Sequence, residues 1–522
     1  MNRIPVLIVG AGPTGLVLAL WLTKSGIAVR IIDKTAEAGT TSRAIGVQAR
    51  TLELYRQMGI ADEVLKGGIE VAGGNFWVGG KRAARISLTD SGKGLSPFTG
   101  LVNFQQDAHE RMLVAQLLAL GVTVERRTEL LRFYDDGAIV HAFVKRPDGS
   151  EEECEAFFLA GCDGSHSVVR TGLRIGFPGG TYEELFYVAD ADVTGPVANH
   201  EVHIDFSTAD FLAVFPMHDE GRVRLIGAVV VKSNVEQKRL TFADASDQAI
   251  RDLKVEVQKI NWFSTYRVHH RVADSFRRGR AFILGDAAHV HSPVGAQGMN
   301  TGIGDAINLA WKLAAVIKGE ATPQVLDSYQ PERIRFARRL VSTTDRVFSF
   351  VTKRGTFASL VRRTLLPVVL PLIASRPSAR RLAFRTISQL GIEYRESPLS
   401  AGSAGDIHGG DRLPWVPLSD TEDNFAPLTS MNWQAHVYGE ARVSARVTCA
   451  EQQIPLHIFP WSPEAKKAGL MRSALYLVRP DGYVALANRD GGADGLRSYF
   501  AQRGLSPSAL EPFQTYGGGE SR

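Results

Sequence analysis

The densest chemistry in this 522-residue chain sits in two glycine-rich stretches. The first, residues 6–34, reads VLIVGAGPTGLVLALWLTKSGIAVRIIDK. Gly10, Gly12 and Gly15 form GxGxxG between a short apolar strand and an apolar helix. The first glycine permits a tight turn, the second lets a pyrophosphate approach, and the third lets helix and strand pack closely. The helix N-terminus, opened by Pro13 and Thr14, supplies free N–H groups for the phosphates. Asp33 ends the second strand eighteen residues after Gly15, where a carboxylate accepts from ribose hydroxyls. Lys34 follows it in the same expected site. These features predict a dinucleotide site, and the motif alone does not separate FAD from NAD.

The second stretch, residues 285–313, reads GDAAHVHSPVGAQGMNTGIGDAINLAWKL. Asp286 ends a buried strand. The loop then runs through His289, Pro293, Gly295, Gly298 and Met299 to Asn300. A helix expected over 301–318 places Ile303, Ile307, Ala310, Trp311, Ala314 and Ile317 on one face. Its N-terminus carries a partial positive charge. His289 and His291 form HxH, but no third ligand follows at metal spacing, so hydrogen bonding is the expected role. His269 and His270 are read as structural in the same way.

Three further stretches carry a resemblance. TSRAIGVQARTLELYRQMGI spans 41–60, FQQDAHERMLVAQLLALGV spans 104–122, and AGCDGSHSVVR spans 160–170. Together with the two glycine loops they resemble the single-component FAD-dependent aromatic hydroxylases. These are built like p-hydroxybenzoate hydroxylase, and the closer likeness is to phenol and polyketide hydroxylases with a C-terminal extension. The resemblance implies that Arg43 reaches the cofactor and that residues 44–47 lie along the flavin ring. It implies cofactor contacts at Gln106, with Gln105 one place away. Asp163 stands in a DG motif with Gly164, Ser167 and Arg170, and Asp286 would bind a ribityl hydroxyl. The loop Pro293–Asn300 would cradle the flavin, with Arg43 and Pro293 as catalytic residues walling its movement.

The implied reaction is hydroxylation of a phenol or related aromatic ring. NADH or NADPH reduces FAD, and oxygen adds to give a flavin C4a-hydroperoxide whose distal oxygen the ring attacks. No second GxGxxG stands ready for the nicotinamide cofactor. Tyr266, His269 and His203 are candidates for a base that deprotonates the phenol, and each also reads as a sheet or loop residue. A dehydrogenase or a halogenase of similar fold is the rival. A halogenase typically carries WxWxxP, and no two of the seven tryptophans here lie two apart.

These residues need a scaffold. The expected fold is α/β: a Rossmann-type FAD-binding domain (1–176 and 271–345) with an inserted β-rich substrate domain (177–270). A helical layer (346–400) and a thioredoxin-like C-terminal domain (401–522) without CxxC complete it. Within 177–270, residues 201–206, 211–217 and 223–231 read as strands. The layer is rich in arginine and leucine. Pro367, Pro371 and Pro377 break its periodicity and predict packing rather than a membrane-surface helix. Residues 401–413 read as a glycine-rich linker, and Arg479–Gly482 as a turn between two strands. The C-terminal domain has a structural or oligomeric role, a homodimer being the simplest form.

Composition excludes other classes. Charged residues make 22%, and 60 Lys+Arg against 55 Asp+Glu give +5, too balanced for a nucleic-acid binder. Three cysteines without CxxC fit a reducing cytoplasm. The apolar run at 365–374 is too short to span a bilayer.

Overall fold

A computed structural model describes residues 3–39, 44–205, 211–219, 221–229, 240–244, 247–292, 295–352, 356–492 and 494–506. Three large sheets organise it, with a small fourth formed by Gly46–Val47, Leu101–Asn103 and Ile69–Val71. In the first, five strands run parallel in the order Ala281–Ile283, Glu151–Gly161, Ile4–Val9, Val29–Asp33, Val124–Arg126. The central strands are continuous apolar runs because helices and further strands cover both faces. The helix Pro13–Lys24 packs on the helix Gly298–Ile317. The register aligns Val9 with both Gly161 and Ile32, and Gly161 with Ile283. Gly10, Asp33, Asp163 and Asp286 therefore all stand at or just past the carboxyl ends of adjacent strands. In open parallel sheets that edge is where ligands bind.

The second sheet has eight strands, in the order His289–Val290, Glu256–Val272, Gly179–Thr194, Arg222–Val229, Leu212–Pro216, Val202–Asp205, Gly73–Val78, Lys81–Ser87. The sequence boundary at 176/177 leaves Gly73–Ser87 in the FAD-binding domain. In the structure these two strands close the second sheet, through parallel pairing of Val202 with Gly74 and of Asp205 with Trp77. A parallel partner more than a hundred residues away leaves no local signal. At the other edge, Val272 pairs with His289, so the second glycine loop grows directly out of this sheet.

The C-terminal sheet runs Ile407–His408, Ala401–Ala404, Val484–Asn488, Leu475–Val478, Gln434–Tyr438, Leu456–Phe459, flanked by helices. The expected linker over 401–413 is thus partly sheet. Its glycines serve close packing: a Cβ on Gly402 would lie 2.3 Å from the Ala487 carbonyl oxygen.

The helices Thr356–Ser375 and Pro377–Ile387 form the expected layer, and the first of them packs with one aliphatic face left exposed. It touches strands Gly73–Val78 and Lys81–Ser87 and the helix Pro377–Ile387. None of residues 364–372 is fully buried.

Candidate functional site

The first glycine loop is built by contact. Gly10 has φ +103° and lies against the chain at Cys162, where a Cβ would come 2.3 Å from the carbonyl oxygen. A Cβ on Gly15 would lie 2.0 Å from the Gly10 oxygen. Gly12 differs, since a Cβ there would meet nothing within 4 Å. Of the three glycines it alone faces open space. The helix Pro13–Lys24 starts there with no side-chain cap and no acid in its first turn. That leaves bare N–H groups and a partial positive charge aimed into the opening.

Asp33 folds the loop. Its Oδ2 accepts from the Ala11 N–H at 2.7 Å, and its Oδ1 accepts from the Thr35 N–H and hydroxyl at 2.7 and 2.6 Å. A carboxylate has about four acceptor positions, so one remains for a ribose hydroxyl. Lys34 is exposed. Thr14 works as packing: a Cβ on Gly285 would stand 2.7 Å from its hydroxyl, and one on Gly302 2.3 Å. Thr14 therefore fills the seam between the two glycine loops.

Asp163 caps the short helix Val168–Gly172 by accepting from the N–H groups of Val168 and Val169 at 2.7 and 3.1 Å through Oδ2. Its Oδ1 is buried and has no partner in the protein. Arg170 donates to the carbonyls of Ala287 and Ser165 and stacks on Phe177, tying the DG motif to Asp286's own loop. Asp286 is exposed at the mouth. Gln106 accepts from the Ala44 N–H at 3.2 Å and donates to Glu110 at 2.9 Å. Glu110 in turn accepts from the Gly39 N–H, and burial raises its carboxyl above the usual range.

The helix of the second loop begins at Gly298, three residues before its expected start, with neither a side-chain cap nor an acid in its first turn. Gly298, Met299 and Asn300 are thus its first turn, presenting N–H groups to the site. Asn300 does not offer its side chain. Its Oδ1 accepts from Gln48 N–H and the Thr51 hydroxyl, and its Nδ2 donates to the carbonyls of Gly46 and Ala296. All four positions of the amide are taken, so Asn300 fastens segment 44–51 to the loop and only its backbone faces a ligand. Gln48, overlooked in the sequence, adds a bond to Gly295. Arg43 and Pro293, expected as catalytic, lie outside the described residues.

His289 is structural. It donates to Asp305, which also accepts from the Gly285 N–H and from Arg333. Burial opposes charge on Asp305, yet Arg333 and His289 hold it below the ordinary carboxylate range. Asp305 and Arg333 carry no local motif, so the sequence did not reveal them. His291 donates from Nδ1 to the Ser292 carbonyl, which leaves Nε2 a bare acceptor. That Nε2 and the Ser292 hydroxyl are buried without partners. Burial pushes the His291 ring down to about 4. Among the described residues no cluster suits a metal ion.

The roof of the site is one face of the second sheet. Opposed residues share a face. Tyr266 pairs with Phe186 and Phe186 with Ala228. Ser264, Val188, Ile226 and Ala213 form the next row, and Trp262, Asp190, Arg224 and Phe215 the third. The opposite face carries Leu185, Tyr187, Leu225 and Val214 into a separate core. Arg224 makes a two-pronged pair with Asp190 and donates to the Ala44 carbonyl at 3.3 Å, which turns this face toward segment 44–48. Tyr266, Trp262 and Phe215 are half-buried there. Of the candidate bases, only Tyr266 lies on this face. His203 is engaged by the Trp77 N–H and Asn199, and burial pushes it down to about 4. His269 is exposed against Thr181.

A wall of uncapped helix ends, an open glycine and three orphaned buried polar atoms fits a large phosphate-bearing ligand rich in hydroxyls. Residues 3–344 match the family described as FAD binding domain. The chain is 33% identical to 6-methylpretetramide 4-monooxygenase of Streptomyces rimosus, over 97% of this chain and 95% of that one. It is 31% identical to pentachlorophenol 4-monooxygenase of Sphingobium chlorophenolicum, over 81% and 78%. The solved structure of OxyS anhydrotetracycline hydroxylase from Streptomyces rimosus matches with TM-score 0.77 at 27% identity, over 97% of this chain and all of that one. The chain belongs to the FAD-dependent aromatic monooxygenases that share this FAD binding domain.

Proposed function

We propose that the protein uses NADH or NADPH and molecular oxygen to hydroxylate a phenol or related aromatic compound. The observation that carries this reading is the pairing of an FAD-type cradle with an aromatic sheet face above it. When bound, the flavin supplies hydride acceptance and oxygen activation at its C4a carbon. The chain's residues do the rest. Gly12 and the helix start at Pro13 take the pyrophosphate. Asp33, Asp163 and Asp286 supply acceptors for ribose and ribityl hydroxyls. The first turn at Gly298–Asn300 places N–H groups and a positive helix end at the pyrimidine edge, where reduced flavin gathers charge. Gln106 holds Ala44, and Asn300 holds Gly46 and Gln48, so segment 44–48 is fixed as a wall.

Tyr266, Trp262 and Phe215, backed by the buried Phe186, form an apolar roof that dries the ring and orients it. Asp190 and Arg224 neutralise one another; Arg224 is fully buried, so the partly exposed Asp190 carboxylate is the group of the pair that can accept from a ring hydroxyl. Tyr266 Oη is a hydroxyl on that roof able to relay the phenolic proton, beside the Ser264 hydroxyl one row away. The three cysteines are free and buried, in keeping with a reducing cytoplasm.

The test is oxidation of NAD(P)H by the yellow protein with and without a panel of phenols, recording oxygen uptake and product mass. A phenol that speeds flavin reduction and gains one oxygen atom supports the reading. Oxidation of an aromatic compound with no oxygen gained would favour a dehydrogenase instead.

A further inference from the structure

The helical layer departs from the rest of the surface in two ways. Residues 346–392 hold nine arginines and lysines and no acid. The whole chain carries +5, so the remainder carries 5 − 9 = −4, and this one segment supplies all the positive excess. The layer also exposes large aliphatic side chains. Leu365, Val368 and Leu372 are 52, 66 and 51% exposed, and Leu382 on the next helix is 67% exposed. The spacing i, i+3, i+7 puts the first three on one helical face. Arg376, between the two helices, and Arg385 are exposed beside them.

We propose that this layer is a docking surface for an anionic lipid bilayer, lying on it without crossing it. Aliphatic side chains among arginines are the pattern of an interfacial helix: the chains enter the acyl boundary while guanidinium groups meet lipid phosphates. No helix among the described residues is long and apolar enough to cross a membrane. A second copy of the chain is a poorer occupant, because it would set the exposed Arg376 and Arg385 against the same cations rather than against lipid phosphates. The helix Thr356–Ser375 lies along strands Gly73–Ser87 of the sheet that roofs the site. Docking would therefore hold that sheet near the phase in which apolar aromatic compounds dissolve.

The experiment is sedimentation of the FAD-loaded protein with vesicles of phosphatidylcholine alone or mixed equally with phosphatidylglycerol. The expected result is retention on the mixed vesicles, weak retention on the neutral ones, and release on raising salt above physiological strength. The Leu365→Ser, Val368→Ser, Leu372→Ser triple variant should lose retention at least about tenfold. Its flavin spectrum and its turnover in free solution should be unchanged, since these side chains support no core. Arg376→Glu with Arg385→Glu should weaken retention and flatten its salt dependence. Absence of protein from the mixed-vesicle pellet overturns the proposal. So does equal retention of the triple serine variant, which would mean that the arginines bind anions without lipid insertion. A dimer in solution that the serine changes disperse would assign the face to a second copy. None of these readouts depends on which ring is hydroxylated.

Discussion

Two regions invert the usual partition of side chains, in opposite directions. Where the C-terminal domain meets the FAD-binding domain, charges lie inside. In the helical layer, aliphatic groups lie outside. At the junction, the Arg479–Gly482 turn is wholly buried, with Arg479 0% and Asp481 2% exposed. Arg479 donates to both oxygens of Glu332 and to Asp481, and lies over the ring of Trp311. Lys312 donates to Glu332 and Asn308, Trp311 donates to Asp481, and Arg50 donates to the Asp481 carbonyl. Burial works against charge on Glu332, but Arg479 and then Lys312 hold it far below the carboxylate range. Burial pushes Lys312 down to about 8, with Glu332 opposing that shift and the nearby Arg479 cation adding to it. Asn308, Trp311 and Lys312 sit on the helix whose first turn faces the flavin site. The buried charges thus complete one another within the chain, and they brace that helix from behind. Among the described residues the exposed aliphatic groups have no such counterpart, and the proposed lipid docking would supply one.

The largest effect should come from the junction. Arg479→Ala leaves Glu332 and Asp481 short of a cation, and unfolding in urea should show a loss of about 3–5 kcal/mol. A loss under 1 kcal/mol would mean the cluster is wet and the contrast false. Next comes pH. His109 and His436 are buried, and burial pushes each down to about 3. The unfolded chain takes up their protons near pH 6.5 and the folded chain does not, so stability falls as pH drops below 6.5. Each should contribute about 2 kcal/mol of that loss by pH 5. An unfolding midpoint unchanged between pH 7 and 5 would contradict their burial.

Trp311→Phe removes one hydrogen bond from the cluster and should cost about 1 kcal/mol. Gly12→Val should shift unfolding of the apoprotein by no more than about 0.5 kcal/mol, since its Cβ meets no protein atom. The same change should weaken FAD binding, read by flavin fluorescence. Full retention of FAD would show that the opening is not the pyrophosphate site. Smallest is Leu365→Ser, expected to stay within about 0.5 kcal/mol by thermal unfolding. A larger loss would mean this side chain packs after all.

The sequence carried what is local. GxGxxG, the strands around it and the helix after the second loop were legible, because hydrophobic period and glycine placement are short-range signals. The strand pair at 73–87 was not, since its parallel partner is remote. Asn300 was expected to bind the cofactor, and its role as a fastener was not legible, because a sequence does not show which atoms its amide meets. Thr14 was expected at the cofactor, and the packing of its hydroxyl between two glycines was not legible for the same reason. Asp305 and Arg333 are far apart and join only through the folded loop. The Arg479 turn was read correctly as a turn, yet turn residues are usually wet, and nothing local announced its burial. Prolines suggested that the helical layer packs, and both its helices do lie against neighbouring elements, though with one aliphatic face left exposed that no proline announces.

The central claim is tested most directly by turnover under ¹⁸O₂ with NAD(P)H and an accepted phenol. The account predicts a product carrying one ¹⁸O atom, formed with consumption of one oxygen molecule. A product that takes its oxygen from water, or an oxidised ring that gains none, would contradict it.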